Sequence, residues 1–200
     1  MSDSAKKIGF VFINRYADWE YGLLAASAVE WFGAEAVALT PNGASVRSTA
    51  GFVLQAHRGI GVQENSDLDA VAVIGSDQWA TEKAPDVSAL LQAIAGKGGV
   101  IGGICAGTLA LARAGIFEGV AHTSNGRDWI AGKEPNYRGF ELYRDVSNAV
   151  SDRNIVSAPG SAPGTFAHAF LSVLYPERGD ELSEMKRIFA SEYAPAGKAS

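Results

Sequence analysis

Short, continuous apolar runs alternate along the chain with longer segments whose apolar residues recur every three or four positions. Continuous runs are typical of strands buried on both faces, and the wider spacing is typical of helices that bury one face. Strands are predicted at residues 8–13, 36–39, 67–76, 98–104, 142–150 and 153–157, a short hairpin at 45–57, and helices at 20–32, 85–95, 108–115, 127–130, 166–174 and 178–190. This alternation predicts an α/β fold with a mostly parallel sheet between two layers of helices.

Composition narrows the class of protein. The 200 residues contain no evident linker, which predicts one domain over 1–200, with a core at about 6–175 and a C-terminal helix at 178–190. Hydrophobic residues make up 47% and charged residues 20%, a balance that excludes a disordered chain. The net charge of −5 and the scattered Lys and Arg residues argue against a nucleic-acid partner.

The cysteine and histidine content limits the compartment and the cofactors. A single cysteine excludes an internal disulfide and fits the reducing cytoplasm, where we expect the protein to act. The first seven residues are mostly polar, and the apolar run 8–13 that follows them is too short for the core of a signal peptide or for a membrane span. The three separated histidines lack the spacing of metal ligands, and no phosphate-binding glycine loop is present, so we expect neither a metal nor a cofactor.

A glycine-rich turn joins the predicted strand 98–104 to the helix after it. The turn reads Gly103-Ile104-Cys105-Ala106-Gly107, the pattern of a nucleophile elbow with cysteine as the nucleophile. At the start of a helix, backbone N–H groups and the helix dipole favour a thiolate. The N–H of Ala106 would also bind a developing oxyanion. The alternative is a small buried thiol with no chemical role.

The elbow and a later loop carry a family resemblance. Gly103–Gly107 with its helix, and the loop Ala158-Pro159-Gly160-Ser161-Ala162-Pro163-Gly164-Thr165, resemble the ThiJ/PfpI (DJ-1/PfpI) family of the class I glutamine amidotransferase-like superfamily. The resemblance covers about residues 6–175 and implies a flavodoxin-like three-layer α/β/α sandwich and a homodimer. It does not imply one activity, because the family hosts several chemistries.

The first predicted helix carries a candidate site carboxylate in its first turn. On the residues alone, Glu20 is an acidic residue in a first helical turn, where the dipole favours negative charge. The resemblance implies more, because Ala17-Asp18-Trp19-Glu20 is similar to the family segment whose glutamate keeps its proton and hydrogen-bonds the elbow sulfur. Glu20 is the matching residue, and Asp18 is the second candidate. Such a proton donor stabilises a thiolate or, after oxidation, a sulfinate.

Two further predicted strand ends supply site candidates. Gly75 and Ser76 end the strand 67–76, and the resemblance implies that this loop gives a backbone N–H to the oxyanion site, although the family usually has a second glycine where Ser76 stands. Asn125 stands where many family members have a histidine, and His122 lies about 10 Å away along an extended strand. Asparagine donates hydrogen bonds but takes no proton at neutral pH, so we do not expect a Cys–His dyad. His122 is kept only as an alternative base.

All of these candidates follow predicted strand ends, where α/β folds gather their sites, so we expect one pocket centred on Cys105. Our first hypothesis is a small-molecule cysteine hydrolase or lyase. Within that class the resemblance suggests an amidase, an isonitrile hydratase or a glyoxalase-like enzyme, and a peptidase ranks below these. The second is a redox-responsive, stress-protective protein that uses oxidation of Cys105. The third is a non-catalytic binding or chaperone-like dimer. The sequence leaves open whether the protein is an enzyme, and on what substrate.

Overall fold

The computed structural model describes residues 5–193, so both ends of the predicted 1–200 domain lie outside the described residues. The strands are β1 (Lys7–Val11), β2 (Glu35–Leu39), β3 (Val46–Arg47), β4 (Val53–Leu54), β5 (Ala70–Val73), β6 (Val100–Ile104), β7 (Val150–Asp152) and β8 (Ile155–Ala158). The helices are α1 (Asp18–Glu30), α2 (Ser88–Gly96), α3 (Gly107–Arg113), α4 (Arg127–Lys133), α5 (Pro163–Leu174) and α6 (Gly179–Ala190). Short 3-10 turns occupy 63–65, 77–80, 140–142 and 191–193.

Six strands form one sheet in the order β2-β1-β5-β6-β8-β7. All neighbours run parallel except β7 and β8, which are antiparallel. The predicted mostly parallel sheet and the α/β class are therefore confirmed. The predicted hairpin is also present, because β3 pairs antiparallel with β4 outside the main sheet.

Helices cover both faces of the sheet, which explains the continuous apolar strands. In β1, Phe10 packs into a core with α1 and α5, whereas its neighbour Val11 packs into a second core with α2 and α3. Successive strand side chains point to opposite faces, so a strand between two helical layers needs apolar residues at every position. No helix within residues 5–193 is long and apolar enough to cross a lipid bilayer.

Two predicted elements differ from the observed ones. The predicted strand 142–150 contributes only Val150 to β7, and Tyr143 forms an isolated bridge with His122 instead of a ladder. Polar residues between them interrupt the apolar pattern that a buried strand needs. The helix predicted from residue 85 begins at Ser88, where the Asp86 side chain accepts a hydrogen bond from the Ser88 N–H at 2.9 Å.

The parallel register brings four strand ends to one edge of the sheet. Val11 of β1 pairs with Val73 of β5, Val73 pairs with Gly103 of β6, and Gly103 pairs with Ser157 of β8. The chain leaves each of these strands at its carboxyl end, so the loops that carry the predicted site residues emerge side by side.

Candidate functional site

Cys105 lies in the turn between β6 and α3 with a left-handed backbone, φ 55°. A non-glycine residue in this conformation costs about 1–3 kcal/mol and persists only where its surroundings hold it. The Cys105 N–H donates to the Ala158 carbonyl at 2.9 Å, and the Thr108 hydroxyl donates to the Cys105 carbonyl at 2.6 Å. Bonds on both sides therefore hold the half-buried thiol in the strained geometry of a nucleophile elbow.

The second glycine of the elbow is required by close packing. A Cβ atom on Gly107 would lie 2.9 Å from the carbonyl carbon of Val73 in β5, and backbone cannot move aside as a flexible side chain can. A side chain at position 107 would therefore clash with β5, so the turn needs glycine there.

Glu20 is the third residue of α1 and is only 1% exposed. The Gly75 N–H donates to its Oε2 at 2.7 Å. Within residues 5–193, no group satisfies hydrogen-bond geometry with its Oε1. A Cβ atom built on Gly160 would lie 2.8 Å from the Cys105 Sγ and 3.2 Å from this Oε1. The free carboxyl oxygen and the sulfur therefore face the same small space.

The two acidic groups alter each other's titration. Burial raises the pKa of Glu20 to about 7, against the lowering effects of Cys105 and of the Gly75 N–H. Burial, and then the charge of Glu20, raise the pKa of Cys105 to about 11, against the lowering effects of Asn125 and of the Ala106 N–H. Burial and the charge of Glu20 thus oppose the effect of the helix terminus, which favours a thiolate. The pair releases one proton near neutrality and the second only in strong alkali.

Asn125 contacts the sulfur directly. Its Nδ2 donates to the Cys105 Sγ at 3.2 Å, and its Oδ1 accepts from the Gly160 N–H at 3.0 Å. Because Gly160 offers a donor, the amide oxygen must face Gly160, and the amide nitrogen must face the sulfur. Asn125 therefore acts as a hydrogen-bond donor to the thiol.

The predicted oxyanion residues divide into different roles. The Gly75 N–H is engaged by Glu20, whereas the Ala106 N–H acts on the sulfur itself. The Ser76 hydroxyl donates to the Asn14 carbonyl at 2.7 Å and accepts from the Gln78 N–H at 3.2 Å. Ser76 therefore caps the turn 77–80, and its hydroxyl is committed to the scaffold.

His122, the alternative base, is held by contacts of its own. It is fully buried, its Nδ1 donates to the Val120 carbonyl at 2.7 Å, and its Nε2 bonds to the Tyr137 hydroxyl. Its ring stacks on Phe117 with centroids 4.1 Å apart, and burial lowers its pKa. With both ring nitrogens engaged, His122 has no nitrogen left for the thiol, which corrects its placement as an alternative base.

Asp18 also has a structural partner. Its Oδ2 accepts from the Ala50 N–H at 2.9 Å, so the carboxylate ties the β3–β4 hairpin to the start of α1. This contact directs the side chain of Asp18 to the hairpin, and Glu20 is the carboxyl that reaches the sulfur.

Two residues of the site were not singled out from the sequence. Gly160 packs against the sulfur, and Trp19 donates its Nε1–H to the Gly160 carbonyl at 3.0 Å. Gly160 belongs to the loop 158–165 that carries part of the family resemblance, and a glycine in such a loop is a signal for close approach. No sequence pattern marks Trp19. Within the part of the chain that the structure describes, no three His, Cys, Asp or Glu residues cluster as metal ligands.

The structure thus places a strained cysteine at the carboxyl edge of a parallel sheet, with a buried glutamate beside it. The sequence profile of the DJ-1/PfpI family matches residues 6–173, and the chain belongs to this family.

Relatives extend over nearly the whole chain. YoaZ of Bacillus subtilis, named an uncharacterized protease, is 28% identical over 84% of this chain and 83% of its own length. YdeA of the same species, named in the same way, is 28% identical over 91% of each chain. The DJ-1 superfamily protein Atu0886 of Agrobacterium tumefaciens is 35% identical with a TM-score of 0.85, over 94% of this chain and all of that one. Oxidized DJ-1 of Toxoplasma gondii shares the fold. It is 20% identical with a TM-score of 0.72, over 96% of this chain and 100% of its own.

Proposed function

We propose that this protein is a small-molecule cysteine hydrolase or lyase, and within that class a glyoxalase-like enzyme acting on a small reactive aldehyde. One observation carries the proposal: the buried Glu20 leaves one carboxyl oxygen free, and that oxygen faces the Cys105 sulfur. A nucleophile and a group that exchanges protons near neutrality are thereby adjacent.

The hydrogen-bond donors favour negative charge on the sulfur. Apart from the bond within the pair, Asn125 Nδ2 and the Ala106 N–H both act on the sulfur, whereas the Gly75 N–H acts on the carboxyl. Once the pair has lost one proton, a protonated Glu20 adds a third donor to a thiolate. We infer that the reactive form at neutral pH is a Cys105 thiolate beside a neutral Glu20.

The chemistry that follows conserves atoms and needs no external oxidant. The thiolate adds to the aldehyde carbon of a 2-oxoaldehyde, and the carbonyl oxygen takes the proton of Glu20. The Glu20 carboxylate then removes the hydrogen from that carbon, and the resulting enediol is reprotonated on the adjacent carbon to give a thioester on Cys105. Water hydrolyses the thioester, so that aldehyde and water become a 2-hydroxy acid and the thiol is regenerated.

The same geometry argues against the other candidate reactions. A protease, the activity in the names of YoaZ and YdeA, must protonate an amine leaving group, and so must an amidase. Asn125 holds the position of the usual histidine and gives up no proton at neutral pH. Isonitrile hydration would more naturally use an aspartate, and Asp18 is bonded to the Ala50 N–H.

Turnover of methylglyoxal tests the proposal, with aldehyde loss and lactate formation followed together. We expect activity in the parent protein, rising as the pH passes about 7, because the pair then loses its first proton. Cys105→Ser and Glu20→Gln should lose it by at least about a hundredfold, the contribution typical of an acid–base group. Glu30→Gln, an exposed carboxylate at the other end of α1, is the matched control. Lactate formation that survives Cys105→Ser would refute the proposal.

The free Glu20 oxygen also favours the redox alternative. A neutral Glu20 would donate to a sulfinate oxygen and so stabilise an oxidised Cys105. Peroxide titration followed by intact mass distinguishes the two functions. A redox role predicts a stable gain of two oxygens in the parent and further oxidation in Glu20→Gln, with no turnover of aldehyde in either protein.

A further inference from the structure

An exposed tryptophan is bonded into the candidate site. Trp19 is 58% exposed, yet its indole N–H donates to the Gly160 carbonyl at 3.0 Å. The other side of the same residue is also engaged, because the Gly160 N–H donates to Asn125 Oδ1 at 3.0 Å. Asn125 in turn donates to the Cys105 Sγ at 3.2 Å. Three hydrogen bonds thus run from the protein surface to the sulfur.

Every bond in this chain points the same way. In each bond the donor lies on the side of the protein surface and the acceptor on the side of the sulfur. The indole donates to the Gly160 carbonyl, the Gly160 N–H donates to Asn125, and Asn125 donates to the sulfur. The carbonyl and the N–H of Gly160 belong to two successive peptide groups, so Trp19 acts on Asn125 by fixing the position of Gly160. Gly160 also packs against the sulfur, where a Cβ atom would lie 2.8 Å from Sγ. A small displacement of Gly160 therefore changes both the packing against the sulfur and the position of Asn125, the donor to the sulfur.

Trp19 and Glu20 are adjacent in the first turn of α1, and they act on opposite sides of the same loop. Glu20 points inward to the space beside Cys105, whereas Trp19 bonds to Gly160 from the outside. The loop after β8 makes no strand or helix hydrogen bond through Gly160, because both of its polar groups are used by these side chains. The start of α1 therefore fixes the position of that loop.

We propose that Trp19 is a positioning residue: by fixing the position of Gly160, its indole N–H holds Asn125 as a hydrogen-bond donor to the Cys105 sulfur. The inference deepens the proposed function, because it assigns how the reactive thiol is maintained. It depends on an ionisable thiol and does not depend on which substrate the thiol attacks.

The test is the rate at which iodoacetamide alkylates Cys105, measured across pH by intact mass. The chain has one cysteine, so each adduct is assigned. Asn125→Ala removes the donor to sulfur and should slow alkylation about tenfold at neutral pH, the effect of losing one charge-assisted hydrogen bond. Trp19→Phe keeps an aromatic ring and removes only the N–H, and it should slow alkylation about threefold, because an unanchored Gly160 leaves Asn125 in place for part of the time.

The double variant separates a positioning role from general damage. If Trp19 acts through Asn125, Trp19→Phe has no further effect in the Asn125→Ala background. Trp31→Phe is the control, because Trp31 lies at the other end of α1 and stacks on Phe189. Trp19→Leu provides a second removal of the N–H, and urea unfolding checks that each variant is folded.

Alkylation of Trp19→Phe and Trp19→Leu at the parent rate would overturn the proposal. An equal slowing in the Asn125→Ala background would also overturn it, because Trp19 would then act by another route. These outcomes are distinct from failure of the proposed function, since aldehyde turnover is absent from the assay. A protein without aldehyde activity can still show the Trp19 effect.

Discussion

Replacing Glu20 by glutamine should change how the stability of the protein depends on pH. The side chain is 1% exposed, and burial raises the pKa of its carboxyl to about 7. The glutamine side chain has nearly the same shape and would still accept a hydrogen bond from the Gly75 N–H. The substitution therefore removes one titration from the interior while keeping the packing and the bond at 2.7 Å.

The magnitude follows from proton linkage. The carboxyl titrates at 4.5 in its ordinary state, whereas in the folded protein the Glu20–Cys105 pair releases its first proton only at about 7. Between these values the folded state holds a proton that the unfolded state has released, so the free energy of unfolding falls as the pH rises. Each unit of difference is worth about 1.4 kcal/mol, so the stability present below pH 4.5 declines by about 3 kcal/mol by the time the pH exceeds 7.

Urea unfolding of the parent, Glu20→Gln and Glu30→Gln between pH 4.5 and 8 measures this effect. Relative to the parent, Glu20→Gln should gain about 3 kcal/mol across the window, whereas the exposed Glu30→Gln should follow the parent. Other groups, such as the buried His122, titrate in all three proteins and cancel in the comparison. Parallel curves for the parent and Glu20→Gln would refute the reasoning, because they would mean that the carboxyl ionises as freely in the fold as in water.

Three further changes probe the surroundings of the thiol. Asn125→Asp replaces the donor to sulfur by a charge, so the pKa of Cys105 should rise and alkylation at neutral pH should slow by about tenfold or more, as intact mass would record. Gly160→Ala places a Cβ atom 2.8 Å from the sulfur and should lower the free energy of unfolding by about 1–3 kcal/mol in urea, whereas Gly164→Ala, whose Cβ would have 4.0 Å of clearance, should not. Gly107→Ala meets the backbone of β5 and should cost at least as much as Gly160→Ala, seen as a lower thermal midpoint. Unchanged stability in Gly107→Ala would contradict the close packing of the elbow.

The architecture was predictable because burial on both faces leaves a strong signal. Runs such as 8–13 and 98–104 are apolar throughout, since helices cover the sheet above and below. The elbow was equally readable, because a cysteine between two glycines at a strand–helix junction needs the tight turn that the structure contains. Strand β7 was less predictable, because three residues at an antiparallel edge carry little pattern.

The electrostatics of the site could not be predicted from the sequence. A helix terminus suggested a lowered pKa for Cys105, but the outcome depends on how deeply the thiol is buried and on the charge of Glu20, which is distant in the sequence. Likewise, the hydrogen bond from Trp19 to Gly160 joins residues 141 positions apart, and no sequence pattern marks Trp19. Contacts of this kind arise from the register of the sheet and leave no local trace.

The most direct test of the Glu20–Cys105 pair is the ultraviolet absorbance of the thiolate as a function of pH. The Cys105→Ser variant is subtracted so that only this sulfur contributes. We predict a first rise of thiolate absorbance centred near pH 7 in the parent, where the pair loses its first proton, and its loss in Glu20→Gln. A single transition in strong alkali in both proteins would contradict the account, because the charge at neutral pH would then reside on the carboxyl and the thiol would be unreactive.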